Sequence, residues 1–311
     1  MSGLATPTRT RHAWRDRLLL RPLAWLLTAF FRDLSWEEAQ AAGARLGRLL
    51  WHLSRRDRRR ALDHLALAFP ELDARRRRDI ARATFDHLGT TLAECLHLAD
   101  KESASVLRRV ASTGWEAIDE AKRQGRPVLV VTGHCGNWEL LAAWLGCRGL
   151  PLHVVARRLE DPYLDRLLLS LRARFGSTTI QRGEAGSARA LLRAVRGSGG
   201  IGMLIDQDTR VDGDWVPFFG RPAFTPLGAA DLALRFDAAV VTAFIERQDD
   251  GHHQVTIEPT GPLPTDPVVA TAALTAAIER QVRRRPEQWV WFHRRWRTKP
   301  PASGQLPTAS P

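Results

Sequence analysis

From Pro127 onward the sequence is broken into short apolar runs, each closed by glycine or a polar residue: PVLVVTG (127–133), LHVVA (152–156), IGMLID (201–206), AVVTAFI (239–245) and QVTIE (254–258). Runs of five to seven residues are too short for helices, and the amphipathic stretches between most of them mark βα units. Helices are expected near 138–146, 162–175, 187–197 and 226–236, with a later one over 267–284. Strands alternating with helices build a parallel sheet covered on both faces. Ahead of this, from Ser35 to about Arg109, Ala, Leu and Arg recur at three- and four-residue spacing, with Pro70 as the clear interruption. The expected fold is therefore α/β: a mixed, mostly parallel central sheet flanked by helices, with a helical N-terminal region. At 44% hydrophobic and 26% charged residues, the 311-residue chain has enough apolar material for such a core.

The charge balance is 46 Lys plus Arg against 34 Asp plus Glu, a net +12. Most of the excess is arginine, in runs at 55–60, 75–78, 283–285 and 294–297. Partners rich in phosphate or carboxylate suit this: nucleic acid, an anionic membrane surface or an acidic carrier protein. A solvated helix face is the plainer reading of any one run. Cys95, Cys135 and Cys147 are too few and too irregularly spaced for a disulfide framework or a zinc knuckle, which fits a reducing compartment. Residues 18–31 (LLLRPLAWLLTAFF) fall short of the roughly 20 apolar residues a membrane span needs, and Arg21 and Pro22 interrupt them. Their basic and tryptophan flanks predict a segment lying in the membrane interface, retained because no small-residue cleavage site follows. A buried first helix is the alternative. The tail from Lys299 is rich in Pro and Ser and is expected to be disordered.

The first strand runs into Gly133-His134-Cys135-Gly136-Asn137-Trp138-Glu139, which sets a histidine at the carboxyl end of a strand, where open α/β sheets bind ligands. With His134 on the turn and Glu139 in the first turn of the following helix, the carboxylate could reach the imidazole and fix its tautomer, a base with its orienter. The plainer alternative is a loop histidine followed by a helix capped by Asn137, with Glu139 near its positive end.

GHCGNWE, then Asp206-Gln207-Asp208, then VPFFGRPAFTPLG (216–228), then PEQWVWFHRRWRTKP (286–300) together resemble the bacterial lipid A biosynthesis acyltransferases, relatives of the His-x4-Asp glycerolipid acyltransferases. The likeness runs from roughly Trp36 to Pro300, and here the acid is Glu. It implies a glycerolipid acyltransferase-like fold with His134 as base and Glu139 as its partner. It also implies an acyl carrier protein thioester as donor, a hydroxyl of a membrane glycolipid as acceptor, and work at the cytoplasmic face of the inner membrane. Residues 1–36 become a membrane-interacting segment, 37–298 the acyltransferase domain and 299–311 the tail. The acceptor is expected to be a lipid A precursor, or another glycolipid such as a phosphatidylinositol mannoside. No cofactor, metal or nucleic acid is expected.

Other residues extend this. Arg157, after the second strand, resembles the family's arginine that helps hold the acceptor phosphate or the active site. Asn137, Trp138, Asp206 and Asp208 are expected at the substrate, the two aspartates as groups that shape the site. A different reading makes Asp206 and Asp208 the metal ligands of a glycosyltransferase, and a third makes the chain a non-enzymatic basic module. Cys135 reads as a packing residue, since a direct transfer needs no cysteine nucleophile. Thr225 and Pro226 read as the N-cap and first residue of a helix. Phe218, Phe219 and Phe224 read chiefly as core, with contact to an acyl chain as the alternative. Trp289, Trp291, Phe292 and Trp296, interleaved with Arg294, Arg295 and Arg297, suit a membrane interface or single-stranded nucleic acid.

Overall fold

The computed structural model describes residue 22 and residues 25–301, apart from 100, 185 and 198. Most of the interfacial segment expected over 18–31, and nearly all of the expected tail, lie outside the described residues. What is described begins with helical residues 25–33 (α1). Helix α2 (Trp36–Leu53) starts at a capping box, in which Ser35 accepts from the Glu38 amide and the Glu38 carboxylate accepts from the Ser35 amide. After α3 (Arg55–Ala68), α4 (Ala74–Leu98) runs back antiparallel to α2. The two pack backbone to backbone because Gly43 and Gly47 face Gly89 and Phe85; a Cβ on any of these glycines would strike the opposite main chain.

The α/β part then follows: α5 (Ser103–Leu107), β1 (Val110–Thr113), α6 (Glu116–Arg123), β2 (Val128–Thr132), α7 (Trp138–Cys147), β3 (Leu152–Ala156), α8 (Pro162–Arg174), β4 (Thr178–Gln181), α9 (Ser187–Val195) and β5 (Gly200–Leu204). A two-stranded antiparallel hairpin, β6 (Gly213–Phe218) and β7 (Arg221–Pro226), stands apart from the main sheet. The chain returns through α10 (Gly228–Phe236), β8 (Ala239–Arg247), β9 (His253–Pro259) and α11 (Pro267–Arg284).

The main sheet has the order β1-β9-β8-β2-β5-β3-β4, with every pair parallel except β8–β9. The five strands expected from the sequence are β2, β3, β5, β8 and β9, and the mixed, mostly parallel sheet is as expected. The alternation of side chains divides the core in two. Val128, Val130, Leu152, Val154, Val241 and Ala243 meet α7 through Leu141, Trp144 and Leu145. Leu129, Val131, Ile201 and Val240 meet α10, α11 and the aromatic cluster of the C-terminal segment.

Two expectations are corrected here. Thr225 and Pro226 end strand β7, and the helix begins two residues later at Gly228. Thr225 is buried, donating to the Ala223 carbonyl and accepting from Arg295. Trp289, Trp291 and Trp296 belong to the core and not to a membrane interface, packed against Phe218, Phe219 and Phe69. Arg295, fully buried among them, lies over the Phe218 ring and donates to the Phe224 carbonyl, and burial pulls it down to about 10. Arg284 and Arg297 are exposed but reach in to pair with the buried carboxylates of Glu246 and Asp208. Among the exposed cations, Arg55, Arg56 and Arg59 on α3 and Arg75 and Arg76 at the start of α4 form one outward group.

Candidate active site

Adjacent parallel strands β2 and β5 pair Thr132 with Leu204, so the loops that follow them emerge side by side. One carries His134 and the other Asp206. The Asp206 carboxylate grips the histidine twice: Oδ2 accepts from the His134 backbone amide at 2.7 Å and Oδ1 meets imidazole Nδ1 at 2.8 Å. Trp289 Nε1 donates to Oδ2 at 2.7 Å, completing the cradle. Burial alone would raise the Asp206 carboxyl, but the charge and hydrogen bonds of His134, and the indole N–H, outweigh it and hold the group below the usual carboxylate range. Asp206 is almost wholly buried, whereas the His134 side chain keeps 22% of its surface. With Nδ1 committed to the carboxylate, Nε2 is the nitrogen left to exchange a proton with a substrate.

The turn itself is built to close approach. Gly136 sits at φ +59°, and a Cβ there would run into the Ile245 carbonyl of β8. Its amide donates to the Gln288 carbonyl, and its own carbonyl meets His87 Nε2 at 3.2 Å. Asn137 caps α7 by accepting from the Leu140 amide and donates to Glu94 Oε2 at 2.8 Å.

Several expected roles change as a result. His134 Nδ1 is hydrogen-bonded to Asp206 and not to Glu139, which Arg172 of α8 holds in a two-pronged ion pair, Nε to Oε2 at 2.9 Å and the second amino group to Oε1 at 2.6 Å. The physical reason is its start-of-helix position on α7, which faces α8, while β5 delivers a closer carboxylate from across the sheet. Asn137 is fully buried with both ends of its amide engaged by protein, so it supports the turn instead of touching a substrate. Asp208 is also buried, accepting from Arg297 and from the Thr298 amide and hydroxyl, and pins the C-terminal segment down. Both aspartates are thus saturated by protein donors, which removes the metal-ligand pair that a glycosyltransferase would need. Cys135 is buried, and its thiol is pushed well above its ordinary value by burial and by the charges of Asp206 and Glu246, which makes it a poor nucleophile.

Trp138 stays at the site, its ring edge-to-face with His134 at 5.0 Å between centroids. It also heads a narrow apolar slot between α7 and the sheet, lined by Val130, Leu141, Leu152, Val154, Gly202 and Leu204. Thr132, Glu139 and Arg172 form the polar part of its lining. Arg157 lies at the same sheet edge, 74% exposed, with Glu160 at 3.8 Å.

Arg172 was not singled out in the sequence, and Trp289 was read only as part of an interfacial or nucleic-acid-binding aromatic segment. Trp289 is separated from its partner Asp206 by 83 residues, and Arg172 is an ordinary basic position on a helix, so neither role carries a local signal.

A histidine with a buried carboxylate at its back and its other ring nitrogen free is the layout of a general base. Comparison with known proteins agrees: the family described as bacterial lipid A biosynthesis acyltransferase matches residues 12–298, and the chain belongs to that family. It is 27% identical to the lipid A biosynthesis palmitoleoyltransferase of Escherichia coli K12 over 304 residues, covering 94% of this chain and 97% of that one. It is equally similar to the lipid A biosynthesis lauroyltransferase of the same organism, 27% over 293 residues, covering 91% and 94%. A phosphatidylinositol mannoside acyltransferase of Mycolicibacterium smegmatis matches at 25% over 184 residues, 58% of this chain and 59% of that one. The protein is an acyltransferase of lipid A biosynthesis type.

Proposed function

We propose that the protein moves a fatty acyl group from the thioester of acyl carrier protein to a hydroxyl of a membrane glycolipid, a lipid A precursor in the first instance. His134 Nε2 takes the proton of the acceptor hydroxyl as its oxygen attacks the thioester carbonyl. The resulting imidazolium is stabilised through Nδ1 by Asp206 and returns the proton to the departing thiolate. A positioned base of this kind contributes about 10²–10⁴-fold. The observation that carries the reading is the Asp206–His134 pair at the carboxyl end of the sheet, in a chain that belongs to an acyltransferase family.

The arginines exposed on α3 and α4 support an acidic carrier as donor. Trp25, Leu26 and Phe30, exposed on α1, support contact with the cytoplasmic face of the inner membrane through the N-terminal segment. Among the described residues no helix is long and apolar enough to cross a membrane.

Purified protein, acyl carrier protein charged with a fatty acid, and a lipid A precursor should give acylated glycolipid by mass spectrometry. A phosphatidylinositol mannoside in place of the precursor tests the second acceptor class, favoured by the mycobacterial relative. Transfer to neither overturns the proposal.

A further inference from the structure

Gly136, two residues past the base, has no side chain to hold it, yet both of its main-chain polar atoms are tied into one closed ring of hydrogen bonds. Its amide donates to the Gln288 carbonyl at 2.8 Å. The Gln288 side chain grips the main chain of Arg247 at the end of β8, accepting from its amide at 2.9 Å and donating to its carbonyl at 2.8 Å. The Arg247 guanidinium reaches His87 Nδ1 on α4 at 2.5 Å, and His87 Nε2 meets the Gly136 carbonyl at 3.2 Å, which closes the ring. A guanidinium has only donors, so Nδ1 is the accepting nitrogen and the imidazole hydrogen is left on Nε2, where it serves the Gly136 carbonyl. Thr91 Oγ1 lies beside it, 3.4 Å from Nε2, and accepts a further N–H of Arg247 at 3.0 Å. Glu94 binds the remaining edge of the guanidinium with both oxygens at 2.8 Å, so the fork that sets the His87 tautomer is itself fixed.

Resting on the acyl-transfer reading with His134 as its base, we propose that His87 is a positioning residue for the reaction: through the Gly136 carbonyl it fixes the peptide that leads from the turn carrying the base into α7. The turn needs such a brace. Gly133 and Gly136 flank His134 and Cys135, and glycine confines the backbone least of all residues. Asp206 holds the near side, through the His134 amide and ring. On the far side, the orientation of the peptide between Gly136 and Asn137 decides where Trp138 begins α7, and the Trp138 ring packs edge-to-face on the His134 imidazole. Releasing the Gly136 carbonyl therefore loosens the imidazole on the side that Asp206 does not hold. His87 is buried, so its effect falls on the rate of proton transfer and not on the binding of either substrate.

The test compares the full-length protein with His87→Leu and His87→Gln. Leucine fills the space but ends the contact with the Gly136 carbonyl, whereas glutamine can accept from Arg247 with its oxygen and donate to Gly136 with its nitrogen, as the imidazole does. His87→Leu should lower kcat for acyl transfer about 10- to 100-fold, with KM for donor and acceptor changed less than about twofold, and His87→Gln should recover most of the loss. Thermal unfolding of each variant confirms that rates are read on folded protein. If His87→Leu does not fold, His87→Asn, too short to span both partners, takes its place. Proton NMR with isotope-labelled histidine reads the brace without turnover: the His134 Nδ1–H resonance should broaden in His87→Leu and sharpen again in His87→Gln. A kcat that is unaltered or falls only with the folded fraction, a KM that rises in step with it, a glutamine variant no better than leucine, or an unchanged His134 resonance would overturn the assignment. So would failure of both His87→Leu and His87→Asn to fold, which would make the role structural. Absence of acylation by the parent protein would count against the acyl-transfer reading, while the NMR arm still tests the brace.

Discussion

Asp206→Asn should lower kcat for acyl transfer on the order of 10³–10⁴-fold while the protein stays folded, and His134→Ala should abolish transfer. Asparagine keeps the shape of the side chain but removes the charge that stabilises the imidazolium. It also has a single oxygen for the three donors that now converge on the carboxylate: the His134 amide, Nδ1–H and the Trp289 indole. An amide NH2 facing any of them is a clash of donors, and the imidazole loses the partner that keeps its proton on Nδ1. Glu139→Gln is the control. It weakens the hold on Arg172 beside the slot and should cost far less in kcat, with its effect falling on donor binding. Single-turnover rates, together with thermal unfolding to confirm the fold, check both variants. A severely impaired Glu139→Gln beside a nearly normal Asp206→Asn would return the role of orienter to Glu139.

Glu94→Ala should destabilise the fold by about 3–5 kcal/mol, read from urea unfolding, the usual cost of stripping one partner from a buried ion pair. Glu94 is completely buried and binds Arg247 with both oxygens at 2.8 Å, while also accepting from Gln40 and Asn137. Its loss leaves the Arg247 guanidinium facing a cavity. The pH dependence has a definite sign. Burial would raise the Glu94 carboxyl, but Arg247 and His253 overcome that and hold it well below its ordinary 4.5. A depressed folded-state value contributes stability that is present above about pH 4.5 and lost as the pH falls further. His87, pushed down by burial and then by Arg247, acts in the same direction, since acid must charge a buried neutral ring. The parent protein should therefore lose stability steeply in acid, and Glu94→Ala should show a flatter profile over the same range. Because Asn137 and Gly136 hang on this cluster, transfer activity should decline along with stability in Glu94→Ala.

How far the molecule can be read from its sequence follows from range. Strands β2, β3, β5, β8 and β9 were legible because a strand buried inside the sheet must be apolar along most of its length. The edge strands β1 (VAST) and β4 (TTIQ) carry few apolar residues and could not be distinguished from loop. The β6–β7 hairpin was hidden by its prolines, and Thr225-Pro226 imitated a helix start although the strand pairing continues through it. His134 was legible because glycines and a strand end surround it. Its hydrogen bond to Asp206 was not legible, since nearness in sequence favoured Glu139, whereas Asp206 arrives from 72 residues away on the neighbouring strand. The C-terminal tryptophans follow the same rule: beside arginines they read as surface, and only the packing around Phe218 shows that they are interior.

The fastening of the C-terminal segment bears on how the enzyme comes into being. Trp289 anchors on the carboxylate behind the base, and Thr298 closes over Asp208 two residues further along the same loop. A nascent chain that has not yet emerged from the ribosome through Thr298 has every strand of its sheet but lacks the braces of its reactive centre. Competence arrives only with the closing stretch of synthesis, so prematurely terminated products missing that stretch should be inert even where the sheet itself forms.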